Sequence, residues 1–209
     1  MKSVFQLTGL YLVLTDPVTG YERCAAAAAV CGVGWLQLRM KRAAREEIPA
    51  VGRRLREITR GTATRFILND DVELAREIGA DGVHLGQDDM PLDEARRRWP
   101  EPGKVFGLST HNVEQAARAA AVAPDYIGVG PVFATPTKAI PDPVLGLDGM
   151  AEMLRAAPIP AVVIGGIDAG NLPAVLAHGA KAFAVVRAVN HAADPEAAIR
   201  ALQAVWRKK

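Results

Sequence analysis

Short apolar runs recur along the chain, and each is followed by polar residues and then by a stretch with helical spacing. Phe66-Ile67-Leu68 and Val83-His84-Leu85 are two such runs. The apolar positions between them recur every three or four residues until Gly79 ends the pattern. This arrangement predicts a strand, a helix and a second strand that is parallel to the first.

The same alternation continues along the chain without a linker or a low-complexity break. The predicted strands cover residues 10–16, 35–41, 65–70, 83–85, 105–109, 126–133, 161–164 and 182–186. The predicted helices cover residues 22–31, 45–59, 72–78, 91–99, 113–121, 147–156, 172–178 and 195–206. Eight strands alternating with eight helical segments favour an α/β fold, a single (β/α)8 TIM barrel over residues 1–209, rather than an open sheet.

Composition narrows the classes of protein that the chain can represent. It has 209 residues, half of them hydrophobic, and its net charge of +2 argues against a dedicated nucleic-acid surface. It lacks both a run of 18 apolar residues and the apolar core of a signal peptide, so we expect no membrane partner and a cytoplasmic location. Cys24 and Cys31 lie seven positions apart on one face of a predicted helix, which favours buried free thiols over a disulfide.

Two carboxylates follow neighbouring predicted strands. Asp70 and Asp89 lie nineteen positions apart and emerge on the same rim, so they can face one another across a small gap. Mg²⁺ is the natural counter-ion, because it takes few protein carboxylates and completes its shell with water and phosphate oxygens. The alternative is that these carboxylates only shape turns and helix starts, as we expect for Asp71 at the next helix.

The predicted second strand is unusual because its polar residues alternate with apolar ones. Gln37, Arg39 and Lys41 would share one face, where a guanidinium and an ammonium could meet an anionic ligand. The alternative is an amphipathic edge strand with a solvated face. After the fifth strand, one residue of Ser109-Thr110-His111-Asn112 is expected to cap the following helix.

The second half of the chain is rich in glycine at the predicted strand ends. The segment beginning at Thr135 continues into a long loop with Thr137 and Lys138, which is either functional or a mobile surface loop. Gly165-Gly166 and Val186-Arg187 follow strands seven and eight, where barrels commonly bind phosphate through backbone N–H groups.

At this point the chain resembles the thiamine phosphate synthase family over nearly its whole length. The matching segments are LYLVLTD (10–16), QLRMK (37–41), NDD (69–71), GVHLGQDD (82–89), GLSTH (107–111), GPVFATPTK (130–138) and IGGI (164–167). Seven such segments in order, each at a predicted strand end, make the resemblance specific.

The resemblance implies a transferase that joins 4-amino-2-methyl-5-pyrimidinylmethyl diphosphate to a thiazole phosphate, plain or 2-carboxylated, and releases pyrophosphate. It implies that Asp70 and Asp89 bind Mg²⁺. The residues that it assigns to the pyrimidine diphosphate are Gln37, Arg39, Lys41, Asn69, Ser109 and Lys138, with Arg39, Ser109 and Lys138 catalytic. The residues that it assigns to the thiazole phosphate are Thr135, Thr137, Gly166, Val186 and Arg187.

The chain departs from the family at Arg187, where a serine is usual after the last strand. Two other functions remain open at this stage: a thiazole tautomerase of the same fold, for which His111 could serve as acid or base, and a non-catalytic sensor of a phosphorylated ligand. His84 is interpreted as a packed core histidine, and His178 and His191 as residues at helix ends.

Overall fold

Eight parallel strands form a closed barrel in the order of the sequence, each strand paired with the next and β8 paired with β1. The computed structural model describes residues 7–137 and 142–208. The strands are β1 (Gly9–Leu14), β2 (Trp35–Leu38), β3 (Arg65–Asn69), β4 (Gly82–Leu85), β5 (Val105–Thr110), β6 (Tyr126–Val129), β7 (Ala161–Ile164) and β8 (Ala182–Val185). The predicted (β/α)8 TIM barrel is confirmed.

The helices surround the barrel and connect successive strands. They are α1 (Tyr21–Val30), α2 (Ile48–Thr59), α3 (Val72–Glu77), α4 (Leu92–Arg98), α5 (Val113–Val122), α6 (Gly146–Ala156), α7 (Leu172–Ala177), α8 (Arg187–Asn190) and α9 (Pro195–Arg207). No helix in the described ranges is long and apolar enough to cross a membrane.

The strands are apolar because both of their faces are buried, which explains their near-continuous hydrophobic runs. In β1 all six residues are buried. Leu12 and Leu14 belong to the large core between barrel and helices, whereas Tyr11 and Val13 belong to a second core inside the barrel. This alternation follows from the two-residue period of a strand.

Three of the differences from the predicted elements affect the rim of the barrel. β2 ends at Leu38, so Arg39 and Lys41 lie in the loop after the strand and do not continue its alternating face. β6 ends at Val129, shortly before Pro131, which has no N–H to donate to a neighbouring strand. The third error is α8, a four-residue helix that is too short to show helical periodicity in the sequence.

Local capping agrees with the sequence. Asp71 accepts a hydrogen bond from the Leu74 N–H at 2.8 Å and caps α3. In the polar segment after β5, the cap is Asn112, which accepts from the Gln115 N–H at 2.8 Å. Both cysteines are free and buried, as predicted.

Candidate active site

The carboxyl ends of the strands surround a cavity of about 1000 Å³. Twelve of the thirteen predicted site residues line it: Gln37, Arg39, Lys41, Asn69, Asp70, Asp89, Ser109, Thr135, Thr137, Gly166, Val186 and Arg187. Lys138 lies outside the described residues. Residues that are far apart in the sequence therefore lie around one cavity, because parallel strands bring their carboxyl ends to one rim.

A carboxylate pair occupies one side of this cavity. Asp70 has a left-handed backbone with φ of 69°, and its N–H donates to the carbonyl of His84 on β4 at 2.8 Å. Its carboxylate interacts with that of Asp89 and forms an ion pair with Lys41. Asp89 also accepts a hydrogen bond from the Gly86 N–H at 2.6 Å, so its turn-forming role exists beside the predicted pairing.

The positive charge of Lys41 compensates the carboxylate pair only in part. Burial and, after it, the neighbouring Asp89 raise the pKa of Asp70 to about 6, and Lys41 only partly opposes this rise. Within the described ranges, no cluster of three or more His, Cys, Asp or Glu residues could hold a metal ion. Two carboxylates beside a space for water and phosphate nevertheless fit Mg²⁺, which binds through one or two carboxylates, rather than zinc.

Arg39 and Lys41 add cationic groups beside the carboxylates. The Arg39 N–H donates to the carbonyl of Leu14 at 2.9 Å, which holds the residue against the end of β1. Burial lowers the pKa of the Arg39 guanidinium, while Asp70 and Asp16 oppose that change. An arginine stays charged despite such a shift, so this side of the cavity can bind an anion.

The floor of the cavity is a chain of hydrogen bonds that begins at Gln37. Its side-chain N–H donates to the Tyr11 hydroxyl at 3.0 Å, and the hydroxyls of Tyr11 and Tyr126 are 2.9 Å apart. His84 Nδ1 lies 3.0 Å from the Tyr126 hydroxyl, and its Nε2 lies 2.9 Å from Ser109 Oγ. Burial lowers the pKa of His84 to about 4.

The interpretation of His84 as only a core residue was incomplete. It is packed, but it also lines the cavity and contacts the predicted site residue Ser109. Tyr11 and Tyr126 were likewise missed as part of this network. The available signal was a histidine between Val83 and Leu85, whose inward direction follows from strand alternation.

The opposite wall is formed by glycines and by the segment that joins β8 to α8. Gly165 and Gly166 have positive φ values of 111° and 64°. A Cβ atom at Gly166 would lie 2.8 Å from the Phe133 Cβ atom, so the backbone approaches too closely for any larger residue. Val186 and Arg187, at the start of α8, also line this wall.

The loop after β6 closes one edge of the cavity. The hydroxyls of Thr135 and Thr137 are 3.0 Å apart. His111 Nδ1 lies 2.8 Å from the Gly130 carbonyl and 3.5 Å from Asp142 Oδ2. His111 therefore contacts both ends of this loop.

Further cavity-lining residues were not predicted to belong to the site. His191 was assigned only to a helix end, yet it lines the cavity as well as following α8. Thr110, Asp142 and Asp168 are further lining residues. Thr110 ends β5, whereas the positions of Asp142 and Asp168 depend on loop conformations, for which local sequence gives little signal.

The fold and the cavity define a class: (β/α)8-barrel proteins with a cavity at the carboxyl ends of the strands that charged and polar side chains line. A family model described as thiamine monophosphate synthase matches residues 10–189. The chain belongs to the thiamine monophosphate synthase family.

Individual relatives agree with that assignment. A thiamine-phosphate synthase of Methanoregula boonei is 40% identical over 164 residues, covering 77% of this chain and 76% of the relative. One of Albidiferax ferrireducens is 41% identical over 169 residues, covering 79% and 77%. The solved thiamine phosphate pyrophosphorylase of Pyrococcus furiosus has 33% identity and a TM-score of 0.84, with 96% of each chain covered.

Proposed function

We propose that this transferase joins 4-amino-2-methyl-5-pyrimidinylmethyl diphosphate to a thiazole phosphate, giving thiamine phosphate and pyrophosphate. The observation that carries the proposal is one cavity with two different sides for anions. One side combines a carboxylate pair with Arg39 and Lys41, and the other presents glycine backbone at Gly165 and Gly166. Two phosphorylated substrates that react with each other need such an arrangement.

The diphosphate belongs on the carboxylate side in this proposal. Asp70 and Asp89 would hold Mg²⁺, which when bound neutralises charge on a diphosphate. Arg39 and Lys41 supply cations from the protein, and Asn69 at the end of β3 supplies an amide. The same role is predicted for Lys138, by the family resemblance.

The organic rings and the second phosphate take the remaining surfaces. Gln37 and Ser109 on the floor offer neutral polar groups suited to a pyrimidine edge. Gly166 and the backbone at Val186 and Arg187 suit the thiazole phosphate, because they line the cavity and the first N–H groups of α8 have no partner within the helix. Thr135 and Thr137 provide hydroxyls beside it.

The chemistry requires stabilisation of a leaving anion more than a strong base. An electron-rich pyrimidinylmethyl carbon can lose pyrophosphate by ionisation, and the thiazole nitrogen then forms the new C–N bond. Arg39 and Lys41 lie beside the carboxylates before any bond breaks, so their charge is preorganised.

The direct test is incubation of the purified chain with both substrates, with and without Mg²⁺. We expect thiamine phosphate and pyrophosphate in equal amounts, and only in the presence of a divalent cation. Binding of substrates without product would instead indicate the sensor function. Isomerisation of a thiazole phosphate alone would indicate the tautomerase, and the relatives compared above support neither of these alternatives.

Replacement of Asp89 tests the metal role. Asp89→Ala is expected to lower turnover by at least about a hundredfold while the protein stays folded, because the leaving diphosphate loses charge compensation. The matched control is Asp93→Ala, which removes an exposed carboxylate on α4 outside the cavity. Near-normal activity of Asp89→Ala at saturating Mg²⁺ would contradict the role.

A further inference from the structure

The hydrogen bonds on the cavity floor form an unbroken relay between two side chains that line the cavity. Gln37 and Ser109 are the two ends of this relay and line the cavity. Tyr11, Tyr126 and His84 connect them. All four contacts lie between 2.9 and 3.0 Å. These residues come from β1, β2, β4, β5 and β6, so the chain crosses the inside of the barrel.

The number of protons that each group carries fixes which group donates each hydrogen bond of the relay. The Gln37 amide nitrogen donates to the Tyr11 oxygen, so the single Tyr11 proton is left for Tyr126. The Tyr126 hydroxyl then donates its hydrogen bond to His84 Nδ1. Because Nδ1 accepts from Tyr126, the ring proton of His84 resides on Nε2 and is donated to Ser109 Oγ.

We propose that His84 is a positioning residue: together with Tyr126 it transmits the hydrogen-bond direction set at Gln37 to Ser109, whose hydroxyl then donates into the cavity. The Gln37 carbonyl oxygen remains an acceptor at the opposite end. The floor therefore selects a neutral nitrogen heterocycle with an acceptor facing Ser109 and a donor facing Gln37. An aminopyrimidine ring has this pattern, and to this extent the inference rests on the proposed function.

The relay makes a prediction about the free protein that does not depend on turnover. Nitrogen-15 NMR of the imidazole rings distinguishes the two neutral tautomers, and the chain has only four histidines. We expect His84 to carry its proton on Nε2, with His84→Gln used to assign its signals. A proton on Nδ1 would mean that the hydrogen bonds of the relay run in the opposite direction, and this would overturn the proposal.

Removal of a relay hydroxyl supplies the functional test. In Tyr126→Phe we expect His84 to populate both tautomers and kcat/KM for the pyrimidine diphosphate to fall about tenfold, the loss of one net hydrogen bond. The KM for the thiazole phosphate should not change. Tyr21→Phe is the matched control, because the third tyrosine bonds to Asp16 outside the relay.

A double-mutant cycle separates relay from structure. If Tyr126 acts through Ser109, adding Tyr126→Phe to Ser109→Ala should cause no further loss in kcat/KM, whereas additive losses would overturn the proposal. Tyr11→Phe provides a second route if Tyr126→Phe does not fold, with the same expectation. If the wild-type chain forms no thiamine phosphate, the proposed function fails, while the tautomer measurement still decides the relay.

Discussion

At the scale of single residues, Asp70 is held in a conformation that its surroundings must support. Its positive φ is uncommon for a residue other than glycine, and the backbone bond to His84 helps to fix it. The carboxylate lies beside Asp89 and Lys41. An anionic pair assembled before the cation arrives can bind that cation without reorganisation.

Asp70 should titrate abnormally in the metal-free protein. Its pKa of about 6 reflects burial first and Asp89 second. In Asp89→Asn, we expect the pKa of Asp70 to fall part of the way toward its ordinary value, because burial remains. Carbon-13 NMR of the Asp70 carboxyl group in metal-free buffer measures this change, and Asp93→Asn, on the exposed side of α4, should leave it unaltered.

His84 gives the stability of the protein a pH dependence of known sign. Its pKa in the folded chain, about 4, is below the unfolded value of 6.5, so the unfolded state takes up a proton first as pH falls. Stability from this source is present above pH 6.5 and is lost toward pH 4, by at most about 3 kcal/mol. Asp70 acts in the opposite sense, because its raised pKa makes stability fall as pH rises from 3.8 through 6.

Urea unfolding between pH 7.5 and 4.5, in the absence of metal, can isolate the contribution of His84. We expect the stability difference between wild type and His84→Gln to shrink or reverse as pH falls. Glutamine has no comparable titration, while Asp70 is common to both proteins. A difference that stays constant with pH would contradict a neutral, buried His84.

At the scale of secondary-structure elements, the ends of the strands decide the site. β2 stops at Leu38, and the chain turns so that Arg39 and Lys41 face the cavity from a loop. β7 stops at Ile164 and leaves Gly165 and Gly166 in left-handed conformations. The strand ends therefore fix where the polar segments start. The short turns that follow direct the side chains and backbone groups of these segments toward the cavity.

Gly166 allows a test of the wall opposite the carboxylates. Gly166→Ala would place a Cβ atom 2.8 Å from the Phe133 Cβ atom in a positive-φ conformation. We expect at least a tenfold higher KM for the thiazole phosphate, as the backbone moves away from the phosphate. Gly179→Ala is the control: it has φ of 98° but no atom within 4 Å, so it should cost about 1 kcal/mol of stability without altering kinetics.

At the scale of the whole molecule, the closed sheet links every part of the site. β1 pairs with both β2 and β8, so the described strands have no free edge. A large core joins strands to surrounding helices, and a smaller one fills the barrel beneath the cavity. Local opening of one strand would therefore disturb its two neighbours and the floor of the site.

We expect the chain to unfold as one cooperative unit, as a single barrel domain requires. Circular dichroism at 222 nm and tryptophan fluorescence should give the same midpoint in urea. Trp35 lies inside the barrel and Trp99 in the surrounding core, so fluorescence reports on both. Two separated transitions would contradict a single domain over residues 1–209.

The sequence alone determined the architecture and many of the residues that line the cavity. Hydrophobic periodicity is a local property, so the alternation of strands and helices could be read directly. Once a parallel barrel was inferred, the polar residues and glycines that follow strands had to meet at one rim. That reasoning found both Asp70 and Gly166, which are 96 positions apart in the chain.

Only the tertiary structure decided which side chains touch. The Tyr11 and Tyr126 hydroxyls meet across 115 positions, and His84 lies between Tyr126 and Ser109. The direction of a side chain inside the barrel depends on strand register and on how neighbouring rings pack. These quantities are set by closure of the whole sheet and leave no local pattern, so a histidine within an apolar run could not reveal its partners.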